Sequence, residues 1–313
     1  MNGLTLAEEY YKQFGEQMLM QEFADIRNQI AVGLVGSGSE CFGYDDEISK
    51  DHDFEPGFTI FIPGETFMDS KTAFRLERAY AKLPKEFMGY TKTPVQPVGG
   101  NRHGVVRLDE FLTARLGNPF GELSEEDWLR LPENSILEVT NGKLFYDGSG
   151  TFTAIRQSLT AMPEDVRKKK ISGHLLTMAQ AGQYNYYRLT NRGEEGAAQM
   201  ALYEFVKSGM QVVYSLNHRL MPYYKWAFRG MRDLEILSGL EESFVFLLTT
   251  GNDKELALKK ANTVEEIAGA IIAELTRQGL SGAVCGDLEK HAYSVNDSIK
   301  STRIRYLNIF AAV

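Results

Sequence analysis

Residues Gly33 to Glu55 read G-L-V-G-S-G-S-E-C-F-G-Y-D-D-E-I-S-K-D-H-D-F-E, and this segment carries the strongest structural signal in the chain. An apolar run ends in the pair Gly36-Ser37, and thirteen residues separate this pair from Asp51, which Asp53 closely follows. Side chains alternate along an extended segment, so both carboxylates are expected on the same side of a strand. Two neighbouring carboxylates repel each other when both are ionised, and a divalent cation with oxygen ligands removes this repulsion. The carboxylate pair therefore predicts a metal site.

The Gly-Ser pair is a second chemical signal. A turn of glycine and serine directly after a strand offers backbone N–H groups and a hydroxyl, and these donors suit phosphate oxygen atoms. A phosphate-binding turn beside metal-binding carboxylates is typical of phosphoryl or nucleotidyl transfer. The alternative is a solvated acidic loop between two strands. The position of the Gly-Ser pair relative to the carboxylates favours the functional interpretation.

These residues resemble the signature of the nucleotidyltransferase superfamily. In that signature a hydrophobic residue, Gly, and Gly or Ser precede Asp-x-Asp or Asp-x-Glu, matched here by V-G-S at 35–37 and by Asp51-His52-Asp53. The finer pattern, G-S-x-x-x-x-G followed by S-x-D-x-D, is similar to that of the aminoglycoside and minimal nucleotidyltransferases. One departure is the residue between the carboxylates, which is usually apolar. His52 alternates to the opposite face, where a hydrogen-bonded or buried histidine is expected.

Two downstream segments extend the resemblance over most of the chain. Together with the Asp-His-Asp form, P-Y-x-K-W at 222–226 and L-x-V-T-x-G-x-x-F-x-D from Leu137 to Asp147 are similar to an uncharacterised bacterial branch of the superfamily. This branch brings no known substrate. Lys225 could reach a triphosphate, and its aromatic neighbours could stack on a base. Alternatively, the aromatic residues belong to the core of a helical bundle and Lys225 faces solvent.

The resemblance implies a set of cofactor contacts. Asp51 and Asp53 would bind one or two Mg²⁺ ions that bridge to the triphosphate of ATP or another nucleoside triphosphate. Gly36 and Ser37 would hold phosphate oxygen atoms. These four residues make up the predicted metal and phosphate sites.

A third carboxylate often completes such a site, either as a metal ligand or as the base that accepts the proton of the acceptor hydroxyl. Glu138 lies on a predicted hairpin strand, and Asp109 follows a short predicted strand, in the region where the family's third acid tends to fall. Either residue alone could also be an ordinary surface or capping carboxylate. We favour Glu138 as the third catalytic residue and keep Asp109 as the alternative.

Composition limits the partners that this chemistry could serve. The chain has 313 residues, of which 43% are hydrophobic and 24% charged, as expected of a globular protein with two domains. Its formal net charge of −8 argues against nucleic acid as the acceptor and favours a small molecule or a protein. The densest basic run, Arg167 to Lys170, is expected on a solvated helix face.

The sequence gives three indications of the cellular compartment: its hydrophobicity, its first residues and its few cysteines. No apolar run has the length of a membrane span, and the first residues do not form a secretory signal. The two cysteines, Cys41 and Cys285, form no metal-binding cluster and fit a reducing cytoplasm. Cys41 is expected to be a small buried residue. The sequence does not indicate an oligomeric state.

The pattern of predicted elements changes near residue 150. Strands and helices alternate over residues 1–150, which predicts a mixed α/β domain. Within it, a helix is expected from Leu4 to Gln29, and a β-hairpin is expected at 136–146, with Asn141-Gly142 as its turn. Residues 151–313 carry long helical segments, which predict a helical bundle. The predicted fold class is α+β, with a nucleotidyltransferase-like head followed by an all-helical domain.

These observations predict a Mg²⁺-dependent nucleotidyltransferase. It would move a nucleoside monophosphate, most simply AMP from ATP, onto a hydroxyl of a small molecule or protein. The alternative is a catalytically silent nucleotide-binding regulator or antitoxin-like protein. The unassigned third carboxylate and the polar His52 motivate that alternative.

Overall fold

The computed structural model of the protein describes residues 1–48, 54–92 and 103–313. The predicted metal ligands Asp51 and Asp53, and His52 between them, lie outside the described residues. The remaining predicted site residues are all described.

The chain divides into two compact units. We call Met1–Leu123 with Ser135–Ala161 the α/β unit, and Ser124–Asn134 with Met162–Val313 the helical unit. The pattern of predicted elements places the boundary at residue 150. Residues 151–161 belong to the α/β unit because Phe152, which is fully buried, packs its ring at 4.8 Å from that of Phe61.

The α/β unit contains a central sheet and a small separate hairpin. Its described strands are β1 (Ala31–Leu34), β2 (Thr59–Ile62), β3 (Glu86–Phe87), β4 (Tyr90–Thr91), β5 (Gly104–Arg107) and β6 (Lys143–Asp147). The central sheet has the strand order β5-β2-β1-β6. Strand β1 is antiparallel to both neighbours, and β2 is parallel to β5. All four residues of β1 are buried, as expected of an apolar run in the middle of a sheet.

Helices cover the sheet of the α/β unit. Those described are α1 (Gly3–Tyr10), α2 (Glu16–Glu22), α3 (Ser39–Phe42), α4 (Ser70–Ala81), α5 (Leu108–Leu116), α7 (Glu133–Thr140, within this unit from residue 135) and α8 (Thr151–Ser158). A π-helical turn, Tyr11–Gly15, joins α1 to α2. The predicted N-terminal helix is therefore present, but it ends at Glu22 and a short 3₁₀ turn, Arg27–Gln29, follows.

The predicted hairpin at 136–146 is wrong in its first half. Residues 136–139 belong to helix α7, and strand β6 pairs with β1 instead. Ile136 and Val139 are both fully buried, and a spacing of three residues places them on one face of a helix. Asn141-Gly142 ends this helix rather than turning a hairpin, and Gly142 takes a positive φ of 60° there.

The helical unit contains no β-strand among its residues, all of which are described, and this confirms the α+β class. Its helices are α6 (Glu125–Arg130), α9 (Glu164–Met178), α10 (Tyr187–Thr190), α11 (Glu195–Leu216), α12 (Tyr224–Met231), α13 (Leu240–Thr249), α14 (Lys254–Arg277), α15 (Leu288–Asp297) and α16 (Thr302–Arg305). A π-helical segment, Ala179–Tyr186, joins α9 to α10. Helix α6 begins with a serine cap, in which Ser124 and Asp127 form a capping box.

The basic run on α9 is buried, contrary to the expectation of a solvated face. Arg167, Lys169 and Lys170 are at most 5% exposed. Lys169 Nζ donates to the carbonyl oxygens of Leu307 at 2.7 Å and Arg305 at 3.2 Å. Buried ammonium groups are tolerated when such acceptors satisfy them. Lys169 therefore connects α9 to the C-terminal segment.

Candidate functional site

The turn that links β1 to α3 lies where the sequence analysis placed a phosphate-binding turn. We call residues 35–38 the Gly-Ser turn. Gly36 has a φ of +128°, a conformation that residues with a side chain rarely adopt. A Cβ atom built on Gly36 would meet no atom within 4 Å, so the backbone angle, and not crowding, requires glycine here. Ser37 is exposed, and neither its amide nor its hydroxyl is hydrogen-bonded among the described residues.

Two hydrogen bonds from one asparagine hold the Gly-Ser turn. Gly36 N donates to Asn141 Oδ1 at 2.9 Å, and Asn141 Nδ2 donates to Gly36 O at 2.6 Å. We call this pair the Asn141 bridge. The next residue, Gly142, donates its N–H to the Cys41 carbonyl at 2.8 Å. A side chain at position 142 would overlap the Leu34 carbonyl oxygen, so glycine is needed for this close approach.

A cavity of about 270 Å³ opens beside the Gly-Ser turn within the α/β unit. The turn forms one wall, and residues of β1, β2, β5, α3 and α5 line the rest, including the apolar side chains of Phe61 and Phe111. Three charged residues also line it: Glu40, Glu110 and Arg115. The cavity thus combines an apolar floor with a few polar groups, which is the usual composition of a small-molecule site.

Glu40 and Glu110 are two carboxylates of this lining that no sequence motif indicates. Glu40 is buried, and its carboxylate folds back over Gly38, where any side chain would overlap it. The Glu110 carboxylate is exposed and accepts no hydrogen bond among the described residues. Glu110 could have been predicted from its position, because it lies in the first turn of α5, directly after strand β5, which is parallel to β2.

Arg115 lies between the cavity and the predicted third acid. Its Nε is 3.4 Å from Glu138 Oε2, and its guanidinium carbon is 3.9 Å from the centre of the Phe111 ring. Burial lowers the pKa of Arg115, and the Glu138 carboxylate opposes this shift. Glu138 does not line the cavity. Its observed partner is the guanidinium group of Arg115.

Asp109, the alternative third acid, lies in the first turn of α5. Its Oδ1 accepts the N–H of Glu110 at 3.0 Å, and its other carboxylate oxygen packs against Gly64, where a Cβ would overlap it. Asp109 does not line the cavity either. The neighbouring Glu110 does so because successive residues on a helix point in different directions.

Lys225 is exposed near the start of α12, with its Nζ 4.8 Å from the centre of the Trp226 ring. Tyr223 and Tyr224 are also exposed, and their ring centres are 4.3 Å apart. These two tyrosines therefore do not belong to the core of the helical unit. The predicted contact of Lys225 with a triphosphate stays a prediction.

The remaining predictions concern metals, membranes and Cys41. Within residues 1–48, 54–92 and 103–313, no three His, Cys, Asp or Glu side chains lie close enough together to hold a metal ion. In the same residues, no helix combines the length and the apolar character needed to cross a membrane. Cys41 is 6% exposed, as expected of a small buried residue.

One protein family matches the middle of the chain. Residues 128–227 match the family described as "Domain of unknown function (DUF4037)". This segment contains Asn141 and Lys225 but not the Gly-Ser turn. Among solved structures, the chain is similar to that of a nucleotidyltransferase-like protein from Exiguobacterium sibiricum 255-15. The two share 12% sequence identity over 90% of each chain, with a TM-score of 0.39. No curated protein matches the chain.

Proposed function

We propose that this protein is a Mg²⁺-dependent nucleotidyltransferase that moves a nucleoside monophosphate, most simply AMP from ATP, onto a hydroxyl of a small molecule or protein. The observation that carries the proposal is the Gly-Ser turn. It follows a buried strand, it requires glycine at position 36, and it places Ser37, whose donor groups have no partner among the described residues, in the lining of a cavity. These are the properties expected of a phosphate-binding turn.

The donor groups of the α/β unit suit the proposed ligands. Ser37 lines the cavity and supplies an amide and a hydroxyl, and Arg115 adds a cation to the lining of the same cavity. Asp51 and Asp53 would hold Mg²⁺ through carboxylate oxygens, which are the ligands that this ion prefers. Bound Mg²⁺ would neutralise charge on the triphosphate and on the departing pyrophosphate.

In the transfer, the acceptor oxygen forms a bond to the α-phosphorus, and the bond from that phosphorus to the bridging oxygen breaks. Pyrophosphate leaves, and the proton of the acceptor hydroxyl passes to a base. Glu110 fits this role better than Glu138 or Asp109 because, of these three acids, only Glu110 lines the cavity. Its carboxylate also accepts no hydrogen bond among the described residues.

Transfer from labelled ATP tests the proposal directly. The protein is incubated with α-labelled ATP, Mg²⁺ and libraries of hydroxyl acceptors, and labelled product and pyrophosphate are measured. The double variant Asp51→Asn with Asp53→Asn should lose all transfer while its circular dichroism spectrum and unfolding midpoint stay those of the wild type. Transfer that persists in this variant would refute the assigned site.

A matched control removes the same amount of charge elsewhere. Glu22→Gln with Asp25→Asn neutralises two exposed carboxylates of the α/β unit. This control should transfer at the wild-type rate, which separates the loss of the metal ligands from a change in net charge.

The second candidate is a nucleotide-binding regulator without turnover. The observation that favours it is the ion pair of Glu138 with Arg115, which ties the acid predicted for catalysis to a cation. Calorimetric measurement of ATP·Mg²⁺ binding, together with a pyrophosphate assay, distinguishes the two functions. ATP·Mg²⁺ binding without pyrophosphate release for any acceptor supports the regulator, and catalytic pyrophosphate release excludes it.

A further inference from the structure

We infer that Asn141 is a positioning residue that holds the 36–37 peptide in the orientation needed for phosphate binding. The inference rests on the proposed function, because it assigns the Gly-Ser turn to the phosphates. It adds a residue that lies 105 positions further along the chain and that contacts no phosphate in this scheme.

The Asn141 bridge uses both polar atoms of the side-chain amide and both backbone groups of one glycine. Gly36 N–H is satisfied at 2.9 Å and Gly36 C=O at 2.6 Å. Each of these groups belongs to a different peptide plane, the first shared with Val35 and the second with Ser37. The bridge therefore fixes two successive peptide planes around the residue of the turn that has a positive φ.

The geometry of the trans peptide between Gly36 and Ser37 determines where the Ser37 N–H points. In a planar trans peptide, the C=O of one residue and the N–H of the next point in opposite directions. Because Asn141 binds the Gly36 carbonyl, the Ser37 N–H must point away from Asn141. Without the bridge, rotation about Gly36 could turn this peptide over. A carbonyl oxygen would then replace the Ser37 N–H and repel phosphate.

The bridge is itself supported from two sides. Arg156 of α8 donates through Nη2 to Thr140 O at 2.9 Å and to Gly142 O at 3.4 Å. Gly142 N–H donates to the carbonyl of Cys41 in α3, the helix that follows the turn. Asn141-Gly142 thus holds the segment from Gly36 to Cys41 at both ends, which limits relaxation of the turn.

Substitution of Asn141 separates positioning from stability when two ligands are compared. Binding of ATP·Mg²⁺ and of adenosine is measured by calorimetry for wild type, Asn141→Ala and Asn141→Asp. Alanine removes both hydrogen bonds. Aspartate keeps the acceptor for Gly36 N–H, loses the donor and adds a negative charge. We expect both variants to bind ATP at least about tenfold more weakly while adenosine, which has no phosphate, binds as in the wild type.

Asn217 provides a matched control in the helical unit. Its side chain makes the same two-way contact with one backbone residue: Asn217 Nδ2 donates to Ile236 O at 2.9 Å, and Ile236 N donates to Asn217 Oδ1 at 2.9 Å. Asn217→Ala should lower the unfolding midpoint by an amount similar to Asn141→Ala and leave the ratio of ATP to adenosine affinity unchanged.

The outcomes separate this inference from the function on which it rests. Wild-type protein that binds no ATP overturns the proposed function and the role of the bridge with it. Wild-type protein that binds ATP, together with Asn141 variants whose ratio of ATP to adenosine affinity is unchanged, overturns the inference alone. If the Asn141 variants lose affinity for ATP and adenosine equally, or if Asn217→Ala changes the ratio of ATP to adenosine affinity to the same extent, Asn141 has a structural role only.

Discussion

Replacing Gly36 with alanine is expected to strain the Gly-Ser turn without a steric clash. Gly36 has a φ of +128°, and an added Cβ would meet no atom within 4 Å. The cost therefore falls on the backbone alone. A residue held in such a sparsely populated conformation costs about 1–3 kcal/mol.

The Asn141 bridge determines whether this strain lowers stability alone or lowers ATP affinity as well. With Gly36 held at both its N–H and its C=O, the turn keeps its conformation and the free energy of unfolding of the α/β unit falls by about 1–3 kcal/mol. Any relaxation of φ to a negative value must break at least one of the two hydrogen bonds. It must also reorient the 36–37 peptide, and ATP affinity then falls as well.

Urea unfolding and ATP calorimetry measure the two consequences. Gly269→Ala is the matched control, because Gly269 lies inside α14, has no positive φ and also has no atom within 4 Å of an added Cβ. Alanine in a helix interior should stabilise the protein by about 0.5–1 kcal/mol. A Gly36→Ala protein with wild-type stability and wild-type ATP affinity would refute the argument from the backbone angle.

Three further predictions address other residues. Lys225→Ala should weaken ATP binding or turnover by at least about tenfold, or about 1.4 kcal/mol, with little change in thermal stability. Alanine at the exposed Lys254 is the control and should have no effect. Equal ATP affinities for the two variants would show that Lys225 is an ordinary solvent-exposed lysine. Glu110→Gln should slow transfer at saturating ATP while calorimetric ATP affinity is retained, because it removes a base and not a phosphate contact; an unchanged rate would exclude Glu110 as the base. Burial lowers the pKa of His174 to about 3, so the unfolded chain binds a proton that the folded chain excludes. Stability should fall as pH drops below the unfolded value, by about 2 kcal/mol between pH 7 and pH 5, and urea unfolding of His174→Gln should show a smaller pH dependence than the wild type.

Local signals in the sequence determined the elements that depend only on near neighbours. The apolar run before Gly36 is the buried strand β1, and Ser124 begins a helix through a capping box. The change from alternating elements to helices alone correctly indicated an α+β protein. Each of these features depends on residues within a few positions of one another, so periodicity and capping chemistry are sufficient to predict them. The carboxylate pair Asp51 and Asp53 stays a prediction from sequence.

Only the tertiary structure decided which distant groups meet. Asn141-Gly142 has the composition of a hairpin turn, yet it ends a helix and binds Gly36, 105 positions away. The charged side chain of Lys169 predicts a solvated surface, yet it is buried because carbonyl groups more than 130 positions away accept its hydrogen bonds. The sequence shows which hydrogen bonds a side chain can donate or accept, but not which group it will bind. That binding partner is determined when the chain folds, because a buried polar group without a hydrogen bond is costly and the folded structure provides one.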